Sequence, residues 1–120
     1  GFANMVSRKI ELVREGLGNA GETINALNEA GATIVAGTDS PIFPYGLSLV
    51  IELQNYVDAG LSPAAALRTA TVNAADAMGA GEQVGEIQAG MLADMIIVSG
   101  DPLSDISDLL HVQGVMLNGR

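Results

Sequence analysis

The chain has no cysteine and no tryptophan, and only 3% of its 120 residues are aromatic. Without cysteine it can form no disulfide, no thiol nucleophile and no cysteine-ligated metal site, which is typical of a cytoplasmic protein. Hydrophobic residues nevertheless make up 48% of the chain, so its core must be built from Ala, Val, Ile, Leu and Met. The length predicts one domain or less.

Positive charge is also scarce. Five Lys and Arg residues stand against fourteen Asp and Glu, which gives a net charge of −9. Nucleic acids and anionic membrane surfaces both require clustered basic side chains, so we expect neither as a partner. No apolar run is long enough for a transmembrane helix, and the N-terminus lacks the layout of a signal peptide. The sequence therefore predicts an acidic, cytoplasmic protein.

Two helices are predicted before residue 32. Residues 4–17 carry apolar side chains at helical spacing, and glycines at 16, 18 and 21 then interrupt the pattern. A second short helix is predicted over residues 22–30, with Gly31 as its C-terminal stop. The apolar positions of the first helix are Val6, Ile10, Val13 and Leu17.

Residues 32–39, Ala-Thr-Ile-Val-Ala-Gly-Thr-Asp, are the most informative segment. A β-branched apolar run that leads to Asp39 and then to Ser-Pro predicts a buried strand with a carboxylate at its C-terminal edge. Catalytic groups of parallel α/β proteins, and of (β/α)8 barrels above all, occupy this edge. Asp39 is therefore a candidate site residue, and a turn-starting aspartate is the alternative. Thr38 and Ser40 are expected to bond to the backbone.

The middle of the chain predicts two further helices. One covers residues 47–59, with apolar side chains on a shared inward face and Gly60 after its end. The next begins with Ser62 as N-cap and Pro63 at the first helical position, and continues to Gly79. Its inward face consists mostly of small residues, so we expect close packing. The inward face of the helix over 47–59 is predicted to hold Leu47, Val50, Ile51 and Val57.

The last forty residues change in character. They predict a short strand and a glycine turn over 84–90, a buried strand over 93–98 and another strand over 112–117, with one helical turn over 106–110. Asn118-Gly119 is the strongest two-residue hairpin signal, yet only Arg120 follows it. We therefore expect a piece of a larger protein, cut inside a hairpin.

Several segments resemble, in order and spacing, the C-terminal portion of a metal-dependent amidohydrolase, and are most similar to the imidazolonepropionase and prolidase-like branch. The likeness covers about residues 20–120. The matching segments are GET (21–23), GATIVAGTD (31–39), AGLSP (59–63), ALRTATVNAA (66–75), GEIQAGMLAD (85–94) and DPL (101–103).

The resemblance implies an α/β fold, the C-terminal fragment of a (β/α)8 TIM barrel together with strands of a small β-sandwich. Residues 1–79 would form the last part of the barrel, with 32–39 as its eighth strand and 47–79 as its closing helices. Residues 80–120 would form strands of the composite sandwich.

The resemblance also implies a metal site. Asp39 matches the family aspartate that follows the eighth strand, ligates a divalent metal (zinc is expected) and moves a proton from the attacking water to the leaving amine. Tyr45 lies where relatives often carry a histidine near the substrate mouth, so it is a candidate substrate contact; the alternative is a loop aromatic packed on the barrel rim. The substrate would be a small amide, cyclic amide or peptide-like molecule.

The family's other metal ligands, a His-x-His pair, further histidines and a bridging Lys or Glu, do not occur in this sequence. We therefore expect the isolated chain to bind no metal and to be inactive. The remaining polar residues are expected to be structural or solvated: Asn73, Asp94, Asp101, Asp105, Asp108 and His111.

An alternative from a different class is a non-catalytic fragment or module. Its exposed strand edges would lead it to self-associate as a homo-oligomer, or to bind the missing N-terminal part.

Overall fold

The computed structural model describes residues 2–39, 41–42 and 44–120; within the first helix it describes the side chains of residues 7, 8, 11, 12, 15, 16 and 18 onward. In chain order the elements are α1 (Phe2–Glu29), α2 (Leu47–Asp58), α3 (Pro63–Thr69), α4 (Val72–Ala77), β1 (Met95–Val98), a 3-10 helix (Ile106–Leu110) and β2 (Val112–Met116). No helix in these described ranges combines the length and apolarity needed to cross a membrane.

The first element is one continuous helix, so the prediction of two helices was wrong. A glycine inside a helix costs only about 1 kcal/mol relative to alanine, and the good helix formers around the three glycines outweigh that cost. Gly21 brings α1 close to α2, since a Cβ there would lie 3.3 Å from the Cβ of Ala59. The predicted stop at Gly31 is confirmed: its φ is +79°, and Ala32 N donates to Leu27 O at 2.9 Å. The predicted inward positions Val6, Ile10, Val13 and Leu17 lie outside the described side chains.

Residues 32–39 are extended, but they pair with no strand in the described parts of the chain. The prediction of a strand within a sheet was therefore wrong. A parallel strand needs a neighbouring strand that is connected through a crossover, and the described residues contain no such strand beside this segment. Its side chains still alternate. Ile34 and Ala36 pack against the core, whereas Val35 is 40% exposed and not buried.

The core lies between α2, α3 and the 3-10 helix, where Leu53, Tyr56, Leu61, Ala66 and Ile106 are buried together. Helix α2 ends one residue before the predicted 59, and its predicted inward face is confirmed for Val57, which packs against the core, but was wrong for two other residues. Leu47 and Ile51 are 48% and 51% exposed, because the opposite side of α2 packs on the core.

The helix predicted to start at Ser62 does start there, because the Ser62 hydroxyl accepts a hydrogen bond of 3.2 Å from Ala65 N. It does not continue to Gly79 but breaks at residues 70–71 into α3 and α4. The Thr69 and Thr71 hydroxyls donate to carbonyls one turn back, of Ala66 and Leu67, which favours a bend at this point. The break leaves Thr69 O free to accept from Ala36 N at 3.0 Å.

The C-terminal part contains a two-stranded antiparallel sheet. Met95 pairs with Met116 and Ile97 with Gly114, and the register is irregular between Ile97 and Val98. The glycine turn predicted at the end of 84–90 is confirmed, with a φ of +98° at Gly90, but the short strand before it is replaced by bends and irregular backbone. The strand around Ile97 is not buried, since that side chain is 64% exposed. Both corrections have one cause: a two-stranded ribbon has no second layer to pack on. No β-sandwich is formed within the described ranges.

The predicted turn at Asn118-Gly119 is confirmed. Both residues have positive φ, +51° and +76°, as the two central residues of a type I′ turn require. Leu117 N donates to Arg120 O at 2.9 Å across the turn, and Asn118 N donates to the Asp94 carboxylate at 2.7 Å. Asp94 therefore has the structural role expected of it.

The acidic loop before β2 is built from carboxylates that cap turns. Asp105 accepts from Ser107 N at 3.0 Å and so starts the 3-10 helix that places Ile106 in the core. Hydrogen bonds from Ser104 and the backbone lower the pKa of Asp101, and those from Ser107 lower the pKa of Asp105. His111 is exposed, with Nδ1 at 3.4 Å from Asp108 Oδ1. No metal-binding group of three or more ligands occurs in this loop or elsewhere in the part of the chain described.

Candidate functional site

Asp39 ends the extended segment in a left-handed backbone conformation, with φ +50°. This conformation costs a residue with a side chain about 1–2 kcal/mol, although aspartate tolerates it better than most. The turn is closed by Ile42 N, which donates to Asp39 O at 2.9 Å, and the carboxylate is exposed. A strained residue that holds its side chain in solvent is a feature of functional sites.

Asp39 opens onto a cleft of about 300 Å³ between the extended segment and α2. Polar and apolar side chains both line the cleft, which is typical of small-molecule sites. The exposed Leu47 and Ile51 are among its apolar lining residues together with Pro44, so their exposed side chains border the cleft. The polar lining residues are Thr38, Asp39, Ser48, Glu52 and Asn55.

Three hydrogen bonds hold the segment that leads to Asp39, each to a different part of the helical layer, by which we mean helices α2, α3 and α4. Asn73 Nδ2, in α4, donates to Ile34 O at 2.9 Å, and Ala36 N donates to Thr69 O at the end of α3 at 3.0 Å. Gly37 N donates to Glu52 Oε1 in α2 at 2.9 Å. These bonds place the segment firmly on the helices in the absence of a sheet.

Glu52 is a site residue that sequence reasoning missed. Its Oε1 also accepts from the Tyr56 hydroxyl at 2.5 Å, and its Oε2 is buried with no hydrogen-bond partner among the residues described. Burial, reinforced by the bond to Glu52 and by its charge, raises the pKa of Tyr56 well above its usual value. One signal was present in the sequence, a single acid between the apolar residues Ile51 and Leu53 of a helix.

The other predicted site residues are not all brought to the cleft. Tyr45 is 78% exposed in the turn before α2 and does not belong to the described lining of the cleft. Its role in substrate binding stays a prediction. Asn73 has the hydrogen-bonding role expected of it, while Ser40 lies outside the described residues.

Asp39 fits a metal site as one oxygen ligand, because its carboxylate is exposed and lines the cleft. A zinc ion in a catalytic site requires about three protein ligands. The described residues offer no group of three His, Cys, Asp or Glu side chains that could hold one. Any further ligands must come from residues other than these.

Comparisons with known proteins agree on one family. The model of the amidohydrolase family matches residues 5–120. An imidazolonepropionase from Symbiobacterium thermophilum is 38% identical over 74 residues, which cover 59% of this chain and 17% of that protein. An imidazolonepropionase from Deinococcus radiodurans is 34% identical over 86 residues, or 68% of this chain and 21% of that protein.

Among solved structures, a Xaa-Pro dipeptidase with methionine bound in its active site is similar with a TM-score of 0.76. It is 32% identical to this chain, and the match covers 82% of this chain and 24% of that one. The chain thus spans about a sixth to a quarter of the length of these three proteins.

Proposed function

The chain belongs to the amidohydrolase family and has part of the fold of its solved members, and from that premise we propose that it forms the C-terminal part of a metal-dependent hydrolase of carbon–nitrogen bonds. The observation that carries the proposal is the placement of Asp39. An exposed carboxylate lies at the end of a segment held by three hydrogen bonds and opens onto a cleft with an apolar wall.

We propose that residues 32–39 form the last strand of a (β/α)8 barrel in the whole enzyme, with residues 1–79 as barrel and 80–120 as part of a composite β-sandwich. Two observations support this. The extended segment has no strand partner in the described ranges, and Ile96 and Ile97 of the two-stranded sheet are 54% and 64% exposed. Both features fit surfaces that the rest of a barrel enzyme would cover.

In the proposed reaction Asp39 moves a proton. One oxygen of its carboxylate accepts a proton from the water that attacks the scissile carbonyl, and the same group later donates it to the leaving nitrogen. The C–N bond breaks as the C–O bond forms, so an amide and a water give an acid and an amine. A divalent metal, which we propose is zinc, acidifies water and polarises the carbonyl when it is bound.

The cleft also suggests how substrate binds. Leu47 and Ile51 offer an apolar wall beside Asp39, which fits a small amide, cyclic amide or peptide-like substrate with an apolar group. Tyr45, exposed at the start of α2, is proposed to contact substrate from the rim. Asp39 alone cannot hold a metal ion, so we propose that the isolated chain is inactive.

The test uses the reconstituted enzyme, by which we mean this chain joined to the remaining N-terminal part of an amidohydrolase barrel. Asp39→Asn removes the proton acceptor while keeping the size of the side chain, and kcat is expected to fall about 10³-fold. The matched control is Asp58→Asn on α2, whose carboxylate accepts a hydrogen bond from Gln54 and is not among the described residues that line the cleft. Full turnover by the Asp39→Asn enzyme would show that the role proposed for Asp39 is wrong.

A second candidate is a non-catalytic fragment that self-associates or binds a missing N-terminal part. The exposed apolar side chains of the two-stranded sheet favour it, including Val115 at 71% and Ile97 at 64%. Sedimentation of the isolated chain tests it. A stable monomer at dilute concentration would count against this candidate, and concentration-dependent oligomers would support it.

A further inference from the structure

We propose that Glu52 is a positioning residue for Asp39, acting through the backbone of Gly37. This inference rests on the proposed function, because Glu52 matters for turnover only if Asp39 binds the metal and moves the proton. Glu52 lines the cleft, but we assign it no proton transfer.

The bond from Gly37 N to Glu52 Oε1 is 2.9 Å long and joins residues 15 apart in sequence. A single residue, Thr38, separates Gly37 from Asp39. Glycine has the greatest backbone freedom of any residue, so Gly37 is the point where the segment would most easily lose its orientation. The carboxylate of Glu52 restrains that point.

Glu52 is itself held firmly. The hydroxyl of Tyr56, a side chain only 9% exposed, donates to the same Oε1 at 2.5 Å. Two donors on one oxygen fix both the rotamer of Glu52 and the position of Gly37 N. The support therefore runs from the buried core of the helical layer to the turn at Asp39.

The environment of the other carboxylate oxygen of Glu52 indicates that this residue serves function and not stability. Glu52 Oε2 is buried and accepts no hydrogen bond within the part of the chain described. A buried carboxylate oxygen without a partner is unfavourable, and such arrangements concentrate where function requires them. Because Oε1 is committed to two donors and Oε2 is buried, Glu52 cannot act as the proton acceptor, which leaves a positioning role.

The test separates the reach of the side chain from its charge, again in the reconstituted enzyme. Glu52→Gln keeps an oxygen at the same reach but removes the charge. Glu52→Asp keeps the charge but withdraws the oxygens by about 1.5 Å, beyond hydrogen-bonding distance of Gly37 N. The matched control is Glu29→Asp in α1, an exposed helical glutamate that accepts a hydrogen bond from Asn25 one turn away.

Three readouts are compared with the parent enzyme: kcat, the metal affinity, and the visible absorption spectrum of the cobalt-substituted protein, which reports the geometry of the metal ligands. We expect Glu52→Asp to lower kcat about 100-fold, to shift the cobalt spectrum and to weaken metal binding at least tenfold. Glu52→Gln is expected to keep kcat within about threefold and the spectrum unchanged. If Glu52→Asp does not fold, Glu52→Met replaces it, because methionine has the length but no strong acceptor.

The outcomes distinguish this inference from the proposed function. If Asp39→Asn abolishes turnover while Glu52→Asp leaves kcat and the cobalt spectrum unchanged, the positioning role is wrong and the proposed function stands. Equal losses in Glu52→Asp and Glu52→Gln would also overturn it, since charge and not reach would then matter. If Asp39→Asn itself changes neither turnover nor metal binding, the proposed function fails first.

Discussion

The side-chain amide of Asn73 donates a hydrogen bond of 2.9 Å to the backbone carbonyl of Ile34, across 39 residues of sequence. This bond joins the first turn of α4 to the segment that carries Asp39. The helical layer therefore holds the segment without help from a sheet.

Removing that donor should destabilise the protein. We expect Asn73→Ala to lower the free energy of unfolding of the reconstituted enzyme by about 1–2 kcal/mol, because Ile34 O loses its partner in a half-buried position. Urea denaturation measures the change. Asn19→Ala, at an exposed position of α1, is the control for helix propensity and should be neutral or slightly stabilising. Equal effects of the two substitutions would contradict the role of Asn73.

The glycines of α1 should differ in their tolerance of a side chain. A Cβ at Gly21 would lie 3.3 Å from Ala59 Cβ, whereas one at Gly18 would meet no atom within 4 Å. Gly21→Val is therefore expected to cost about 1–3 kcal/mol by forcing α1 away from α2. Gly18→Val should be nearly neutral, since valine and glycine have similar helix propensities. Thermal unfolding of the two variants compares them, and equal losses would show that α1 does not pack on α2 at Gly21.

The buried hydroxyl of Tyr56 should make stability depend on alkaline pH. Burial and Glu52 raise the pKa of Tyr56 in the folded protein, whereas in the unfolded chain it ionises near pH 10. Above that pH the unfolded state loses a proton that the folded state keeps, so the free energy of unfolding falls as pH rises. The loss between pH 9 and pH 11 is expected to be at most about 1.4 kcal/mol.

Tyr56→Phe should remove that part of the alkaline slope, and Tyr45→Phe, which changes an exposed ring, should not. Denaturant titrations at several pH values measure the slope. A slope that is the same in the parent and in Tyr56→Phe would mean that Tyr56 is not held neutral by the fold.

Local chemistry made part of the fold predictable. Ser62 caps a helix, Gly31 ends one and Asn118-Gly119 forms a type I′ turn, because each depends on a few neighbouring residues. The position of Asp39 at the end of an extended segment followed from the same kind of pattern.

Features that depend on distant residues were not predictable. The apolar spacing of α2 did not reveal which side would face the core, so Leu47 and Ile51 were placed inside although they line the cleft. Glu52 contacts a residue 15 positions away, and no local pattern marks such a bond. The break between α3 and α4 also involves a distant residue, because it leaves the carbonyl of Thr69 available to accept a hydrogen bond from Ala36 N.

We propose that Asp39 is one ligand of a metal site that this chain does not complete alone. The zinc content per polypeptide measures this. After dialysis against a weak chelator, we predict no retained zinc in the isolated chain and at least one equivalent in the reconstituted enzyme. Zinc affinity is predicted to be at least tenfold weaker with Asp39→Asn. Stoichiometric zinc in the isolated chain, or unchanged zinc affinity in the Asp39→Asn enzyme, would contradict the account.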